Sequence, residues 1–172
     1  MSSTKSRFKV TIIAPTCFYY QAALFRKLAA NPELDLTVYF CSDEGIAARD
    51  ILEMYKVDDG WGLSNELLDG YHSRLLKNFS PTPSYLKWPF GLINIGIINK
   101  IFLDRPDVVI LMSWMNPTWW MALAACVLFR IPFLYMTDAN VQIERLRSNR
   151  KRRIKRIALG GILFKLCSGF LC

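Results

Sequence analysis

The chain has 172 residues, 52% of them hydrophobic, which is enough for one well-buried domain and short for two. Its net charge of +8 lies in the carboxyl-terminal segment: positions 1–140 contain 13 basic and 13 acidic residues, whereas positions 141–172 contain nine basic residues and one acid. The five cysteines form no Cys-x-x-Cys pair, which favours free thiols in a reducing compartment. The chain has one histidine, so few ligands are available for a zinc site.

Strand and helix patterns alternate along the chain. Apolar runs predict strands over residues 9–14, 34–41, 71–76, 107–114 and 133–136, and a further run begins at residue 169. Helical spacing predicts helices over residues 21–30, 47–55, 91–103, 117–129 and 148–166, with a loop-rich segment at about 43–90. This alternation is typical of an α/β domain, so we expect one domain over 1–172, a parallel sheet with helices on both faces.

Two segments resemble export or membrane signals. Lys5, Arg7 and Lys9 precede an apolar stretch, but Pro15 interrupts it and no small-residue cleavage site follows cleanly. Residues 108–129 contain no charge, which is long enough for a membrane span, yet Pro117 splits them after a β-branched start. We therefore expect a strand, a turn and a buried helix there, with an integral membrane protein as the alternative.

Polar side chains follow two of the predicted strands. Ser113, Trp114 and Asn116 follow one, and Asp138 and Asn140 follow the next. Because the carboxyl ends of parallel strands meet at one edge, where open α/β sheets bind ligands, these residues predict a binding site. Asp138 is the candidate general base or hydroxyl-binding carboxylate, although it could instead cap the following turn.

The loop after the first predicted strand contains no glycine, which argues against NAD or FAD binding there. It offers aromatic rings at Tyr19 and Tyr20 and an amide at Gln21 to the same edge, unless the rings only cap the core. Trp114, beside polar residues, suits a sugar or a lipid head group, whereas Trp119 and Trp120 are better explained as core.

A Ser-His-Asp triad from Ser113, His72 and Asp138 is disfavoured, because no Gly-x-Ser-x-Gly elbow surrounds the serine. No metal ligand set is apparent either.

The predicted helix over residues 145–166 is strongly basic near its amino end. Its cations are Arg150, Lys151, Arg152, Arg153, Lys155 and Arg156. Like charges at i,i+4 and the helix dipole destabilise this arrangement, so an anionic partner would explain it. Apolar residues on one side of the helix favour an acidic membrane surface as its partner. Binding to nucleic acid would require more exposed aromatic rings than the helix contains. A solvated basic face is the remaining alternative.

Three segments carry a family likeness: RFKVTIIAPTCFYYQAALFRKLAANPELDLTVYFCSDEG, RPDVVILMSWMNPTWWMALAACVLFRIPFLYMTDAN and SGFLC. Through these segments the chain resembles, over essentially its whole length, the amino-terminal domain of glycosyltransferase family 4 enzymes, which have the GT-B fold. The resemblance implies a Rossmann-like domain that binds a glycan or lipid-linked acceptor, and retaining transfer of a sugar without a metal. A nucleotide sugar would be the co-substrate, bound mainly by a second, carboxy-terminal domain, and no other cofactor is implied.

The resemblance also implies roles for individual residues. Asp138 matches the strand end where relatives often carry a His or Asp lining the cleft, and Tyr19, Tyr20 and Gln21 match a loop that is glycine-rich in many relatives. The absence of glycine in this chain weakens the case for donor-phosphate contact by that loop. The basic helix looks like the membrane-facing helix of relatives that act on lipid-linked acceptors.

The donor-binding motif of the family, two glutamates separated by seven residues, would follow residue 172. We therefore expect a fragment that binds the acceptor but does not turn over alone, in the cytoplasm or peripherally on the inner face of the membrane. The alternative function is a non-catalytic anion-binding module that uses the basic helix over residues 145–166.

Overall fold

The computed structural model describes residues 6–44, 67–113, 115–136, 153, 157, 160, 161 and 164–171. In these residues the strands are β1 (Phe8–Ala14), β2 (Leu34–Phe40), β3 (His72–Leu75), β4 (Val108–Met112), β5 (Phe133–Met136) and β6 (Gly169–Leu171). The helices are α1 (Tyr19–Ala29), α2 (Gly96–Asp104), α3 (Pro117–Phe129) and the short α4 (Phe164–Leu166). The predicted helix over residues 47–55, and most of the one over residues 148–166, lies outside the described residues.

The described strands form one open parallel sheet in the order β3-β2-β1-β4-β5-β6. β1 lies at its centre, with Ile13 opposite Tyr39 of β2 on one side and opposite Leu111 of β4 on the other. The chain first moves outward from β1 to β3, then returns to β4 and proceeds in the opposite direction. The predicted α/β fold is confirmed as Rossmann-like, and the topological switch point lies between the carboxyl ends of β1 and β4.

Helices cover both faces of the sheet, and two successive residues of β2 demonstrate it. The ring of Phe40 packs on Phe25 of α1, with 6.2 Å between centroids, whereas the Tyr39 hydroxyl donates a hydrogen bond to Asp104 of α2. Because successive side chains of a strand point to opposite faces, α1 and α2 lie on opposite sides. α3 lies beside α2, where the rings of Phe102 and Phe129 are 5.2 Å apart.

The central strands are buried on both sides. Ile12 and Ile13 of β1 and Val109 and Leu111 of β4 are at most 1% exposed. Such continuous burial explains the apolar runs that predicted these strands. Residues 108–129 form strand, turn and helix as expected, and no helix in the described part of the chain is long and apolar enough to cross a membrane.

Hydrogen bonds of the Asn94 side chain connect several segments at the carboxyl edge of the sheet. Its amide nitrogen donates to the carbonyls of Cys41 (3.0 Å), Leu76 (3.2 Å) and Lys77 (3.2 Å), and its Oδ1 accepts from the Thr118 hydroxyl (2.8 Å). The residue is fully buried. This satisfied network joins the ends of β2 and β3 to the first turn of α3, and so holds the edge rigid.

The helix predicted over residues 91–103 begins later, at Gly96. The Gly91 amide donates to the Lys87 carbonyl (2.7 Å), and its carbonyl accepts from the amide of Ser84 (3.1 Å) and the side chain of Asn78 (2.9 Å). A Cβ at residue 91 would lie 2.0 Å from the Ser84 carbonyl oxygen. The prediction was wrong at this end because backbone contacts with a preceding loop hold residue 91 outside the helix.

Candidate functional site at the carboxyl edge of the sheet

Two adjacent loops, residues 15–18 after β1 and residues 113–116 after β4, leave the sheet at the switch point. α1 and α3 begin directly after these loops, and neither has an acidic residue in its first turn. The amino ends of both helices therefore contribute uncompensated positive potential at this edge. Open α/β sheets bind ligands in this crevice, so the predicted site has the expected position in the fold.

Two predicted site residues carry buried oxygens that lack a hydrogen-bond donor in the described part of the chain. They are Gln21 Oε1, in the first turn of α1, and Asn116 Oδ1, immediately before α3. Gln21 is 6% and Asn116 4% exposed. An asparagine before a helix normally accepts a hydrogen bond from an amide of the first turn, but Asn116 makes no such bond. An unsatisfied buried acceptor costs about 1–3 kcal/mol, so these oxygens are suited to a donor from elsewhere.

An aromatic cluster lies beside the first of these loops. Phe18 stacks on Tyr20 with 5.6 Å between centroids and planes 9° apart, and it meets Tyr85 edge-on at 5.6 Å. Tyr20 is 48% exposed. Tyr19, Tyr20 and Gln21 form the first turn of α1 rather than part of the loop. A half-exposed ring at the carboxyl edge is compatible with ligand stacking, which stays a prediction for Tyr20.

Ser113 has an unusual backbone. Its φ of 111° lies in a region that residues other than glycine rarely adopt. Its hydroxyl accepts a hydrogen bond of 3.4 Å from the Met115 amide, which helps to hold the turn. Backbone strain of this kind concentrates at functional sites, and here it marks the loop that leads to Asn116.

Three residues that the sequence analysis missed, Ser42, Glu44 and Tyr85, lie at the same edge. Ser42 and Glu44 follow β2, and the Glu44 carboxylate accepts hydrogen bonds from the Ser42 hydroxyl (3.3 Å) and the Tyr85 amide (2.6 Å). Glu44 thereby fixes the loop that carries Tyr85 against Phe18. The sequence could have identified Ser42 and Glu44, because they are polar residues directly after a strand. The same criterion was used to choose the candidate residues after β4 and β5.

Several predicted site residues lie outside the described part of the chain. These are Trp114, Asp138, Asn140, Arg150, Lys151, Arg152, Lys155 and Arg156. Of the basic cluster only Arg153 is described, and it is exposed. The assigned roles of these residues stay predictions.

His72 lies far from the candidate site. It begins β3, and its ring contacts the Thr37 hydroxyl at 3.2 Å and the Arg74 guanidinium at 3.4 Å. Through the strand register, Thr37 is level with Thr11 and Val109. Ser113 is thus four residues along and three strands across from His72, roughly 13 Å and 14 Å respectively. The two cannot form a catalytic pair, in agreement with the missing sequence motif.

The two neighbouring tryptophans of α3 differ. Trp119 is 2% exposed, which confirms its assignment to the core, and its Nε1 has no acceptor in the described residues. Trp120 is partly buried and packs against the same core, and it also lines a groove with Asn116.

The described cysteines Cys17, Cys41, Cys126 and Cys167 are free thiols, as predicted. Burial raises the pKa of Cys17 and Cys41, and raises the pKa of Cys126 to about 12. Cys17 lies in the loop after β1, with its Sγ 3.6 Å from the Tyr71 hydroxyl. The Cys17 side chain is fully buried and packs in the hydrophobic core. No group of three metal-ligating side chains occurs in the described residues.

Comparisons with known proteins bear on the fold. No family model and no curated protein sequence matches the chain. Among solved structures, UDP-N-acetylglucosamine 2-epimerase is similar, with a TM-score of 0.53 and 13% identity over 97% of this chain and 40% of that chain. The chain thus spans about two fifths of the epimerase's length, and the likeness establishes the shared α/β fold.

Two further solved structures have TM-scores below 0.5. A Vibrio parahaemolyticus protein of unknown function gives 0.48 with 14% identity, over 99% of this chain and 95% of that chain. MurG from Acinetobacter baumannii gives 0.47 with 12% identity, over 88% of this chain and 39% of that chain.

Proposed function

We propose that this domain binds the sugar acceptor of a glycosyl transfer at the switch point between β1 and β4. The pair of buried, unpartnered oxygens on Gln21 and Asn116 carries the proposal. An amide oxygen only accepts hydrogen bonds, so its ligand must bring donors. Sugar hydroxyls are donors, whereas a fully ionised phosphate has none. The pair therefore favours a hydroxyl-rich ligand over an anion.

Three other features support a carbohydrate. The half-exposed ring of Tyr20 and its stacking partner Phe18 offer an apolar surface, which suits the C–H face of a sugar. The fold is shared with UDP-N-acetylglucosamine 2-epimerase, whose name specifies a nucleotide sugar. The sequence resembles the acceptor-side domain of family 4 glycosyltransferases.

In the proposed reaction a second domain supplies most of the nucleotide-sugar site. The acceptor oxygen forms the new glycosidic bond, and the bond from the anomeric carbon to the nucleotide diphosphate breaks with retention of configuration. Gln21 and Asn116 hold acceptor hydroxyls, Trp114 stacks on a sugar face, and Asp138 orients or deprotonates the reacting hydroxyl. These groups do not require a metal.

Acceptor binding is tested on a glycan array with the parent chain, Gln21→Met and Asn116→Leu. Each variant replaces a hydrogen-bonding amide by an apolar group of similar size. We expect each to weaken binding about ten-fold or more, since a hydrogen bond to a buried hydroxyl is lost. Asn99→Leu, at an exposed position of α2, is the control and should bind like the parent. Equal binding by all four proteins would refute the site.

Catalysis is tested with a donor-binding domain supplied, by measuring transfer from radiolabelled nucleotide sugars. Asp138→Ala should lower the rate by roughly two to four orders of magnitude, as expected for loss of a general base. Undiminished transfer would remove Asp138 from the chemistry.

A further inference from the structure

The outer sides of α2 and α3 expose apolar residues that a solvent-facing helix normally lacks. Ile98, Phe102 and Leu103 of α2 are 36%, 44% and 62% exposed, and Val127 and Leu128 of α3 are 48% and 73% exposed. The inner side of α3 is apolar as well, so α3 is hydrophobic all round, whereas α2 also carries Asn99, Lys100 and Asp104. A helix that is apolar on every side is usually covered, so the outer face, defined by these five exposed apolar residues, is a candidate contact surface.

The outer face continues into a groove of about 610 Å³. The residues that line it include Ile98, Trp120 and Met121 of the two helices, Trp88 and Phe90 of the preceding loop, and Asn116. Trp88 is 47% and Phe90 62% exposed. The apolar surface is therefore contiguous from the ends of α2 and α3 to the switch-point loop.

Basic residues outnumber acidic ones in the part of the chain that forms this apolar surface. Residues 77–136 contain five basic and two acidic residues, so the formal net charge of this segment is +3. Arg105, at the end of α2, lies 5.1 Å from the centroid of the Phe102 ring. Lys100 in α2, Arg105 directly after α2 and Arg130 directly after α3 are the basic residues on or next to these two helices, and they are called the cationic rim of the outer face.

We propose that the outer face docks on a bilayer surface that contains anionic lipids. Aromatic side chains at its border and cations around it match the interfacial zone of a membrane, where Trp and Lys or Arg are favoured. A second copy of the chain fits less well, since a two-fold contact through this face would bring two cationic rims together. The proposal uses residues separate from the basic cluster at 150–156, and it does not rest on the proposed sugar transfer.

Vesicle flotation tests the proposal with a matched pair of substitutions. Ile98 on the outer face and Leu24 on α1, across the sheet, are each 36% exposed. Both Ile98→Glu and Leu24→Glu add one negative charge to a helix surface, so they differ only in the face they alter. On vesicles of phosphatidylcholine with phosphatidylglycerol, Ile98→Glu and Leu128→Glu should each lower partitioning about ten-fold. Leu24→Glu should float like the parent.

Lipid composition and fluorescence supply independent readouts. Vesicles of phosphatidylcholine alone should bind the parent at least about five-fold more weakly, because each basic residue near an anionic surface adds roughly that factor. Brominated lipids should quench the parent's tryptophan fluorescence, and Trp88→Phe should reduce that quenching. Melting temperatures for all variants identify any loss of fold.

Four results would overturn the proposal. They are no flotation of the parent, parent-like flotation of both outer-face variants, equal loss in Leu24→Glu, and a parent dimer that Ile98→Glu dissociates without any vesicle binding. The last result would assign the outer face to self-association instead. None of these outcomes would alter glycan binding through Gln21 and Asn116, so the two proposals fail separately.

Discussion

Replacing Asn116 by leucine should stabilise the ligand-free protein. Asn116 Oδ1 is buried with no donor in the described chain, which costs about 1–3 kcal/mol, and leucine of similar volume removes that penalty. No capping bond is lost, since Asn116 makes none to α3. For a chain of this size the gain corresponds to roughly 2–10 °C in melting temperature.

The same substitution at Asn94 should lower the free energy of unfolding instead of raising it. Asn94 is fully buried, donates to three carbonyls and accepts from the Thr118 hydroxyl. Asn94→Leu leaves those groups unpaired, with an expected loss of about 3–5 kcal/mol. Urea unfolding of the parent and both variants, followed by circular dichroism, measures the two changes under one condition.

The difference in stability between the two variants shows whether Asn116 has a structural partner. If Asn116→Leu were as destabilising as Asn94→Leu, then Asn116 would have a structural partner and would not be held for a ligand. A stabilised Asn116→Leu that has also lost glycan binding is the expected result, because binding residues are commonly kept at the expense of stability.

Two further predictions concern the scaffold. Burial raises the pKa of Cys126 from 9.0 to about 12, so the stability that the neutral thiol contributes is full below pH 9 and is lost as pH rises towards 12. Cys126→Ala should shrink the loss of unfolding free energy between about pH 8 and pH 10 by on the order of 1.4 kcal/mol, and an unchanged loss would contradict this. Gly70 has a φ of +80°, and an added Cβ would lie 3.1 Å from Arg26 Cγ, so Gly70→Ala should cost about 1–2 kcal/mol. Gly96→Ala, which meets nothing within 4 Å in α2, should be neutral or stabilising by up to about 1 kcal/mol, and an equal effect at both positions in thermal melts would refute the distinction.

The centre of the sheet was predictable because β1 and β4 are buried on both faces, whereas the edge strands β3 and β6 are mostly exposed. Runs such as the one that forms β4 have no polar alternation, and their separation by helical segments requires a parallel arrangement. The predicted and observed bounds of β5 coincide at Phe133–Met136. The predicted start of α2 was wrong, because backbone contacts between Gly91 and the loop just before it, at Ser84 and Lys87, override local apolar spacing.

The candidate site was predictable in position but not in detail. The rule that ligands bind where parallel strands end identified Gln21 and Asn116, both of which prove to be buried and unpartnered in the described chain. The same rule applied to β2 would have found Glu44. Its contact with Tyr85 joins residues 41 positions apart, and sequence periodicity contains no information on such a pairing.

Gln21 and Asn116 are proposed to bind sugar hydroxyls at the switch point between β1 and β4. The most direct measurement is a ¹H–¹⁵N NMR titration of the parent chain with glycans and nucleotide sugars, read at the side-chain amide resonances. A bound sugar should shift the amide signals of Gln21 and Asn116 together, while the signals of the buried Asn94 amide should change little. Shifts confined to the amino edge near His72, with both site amides unchanged at saturation, would contradict this proposal.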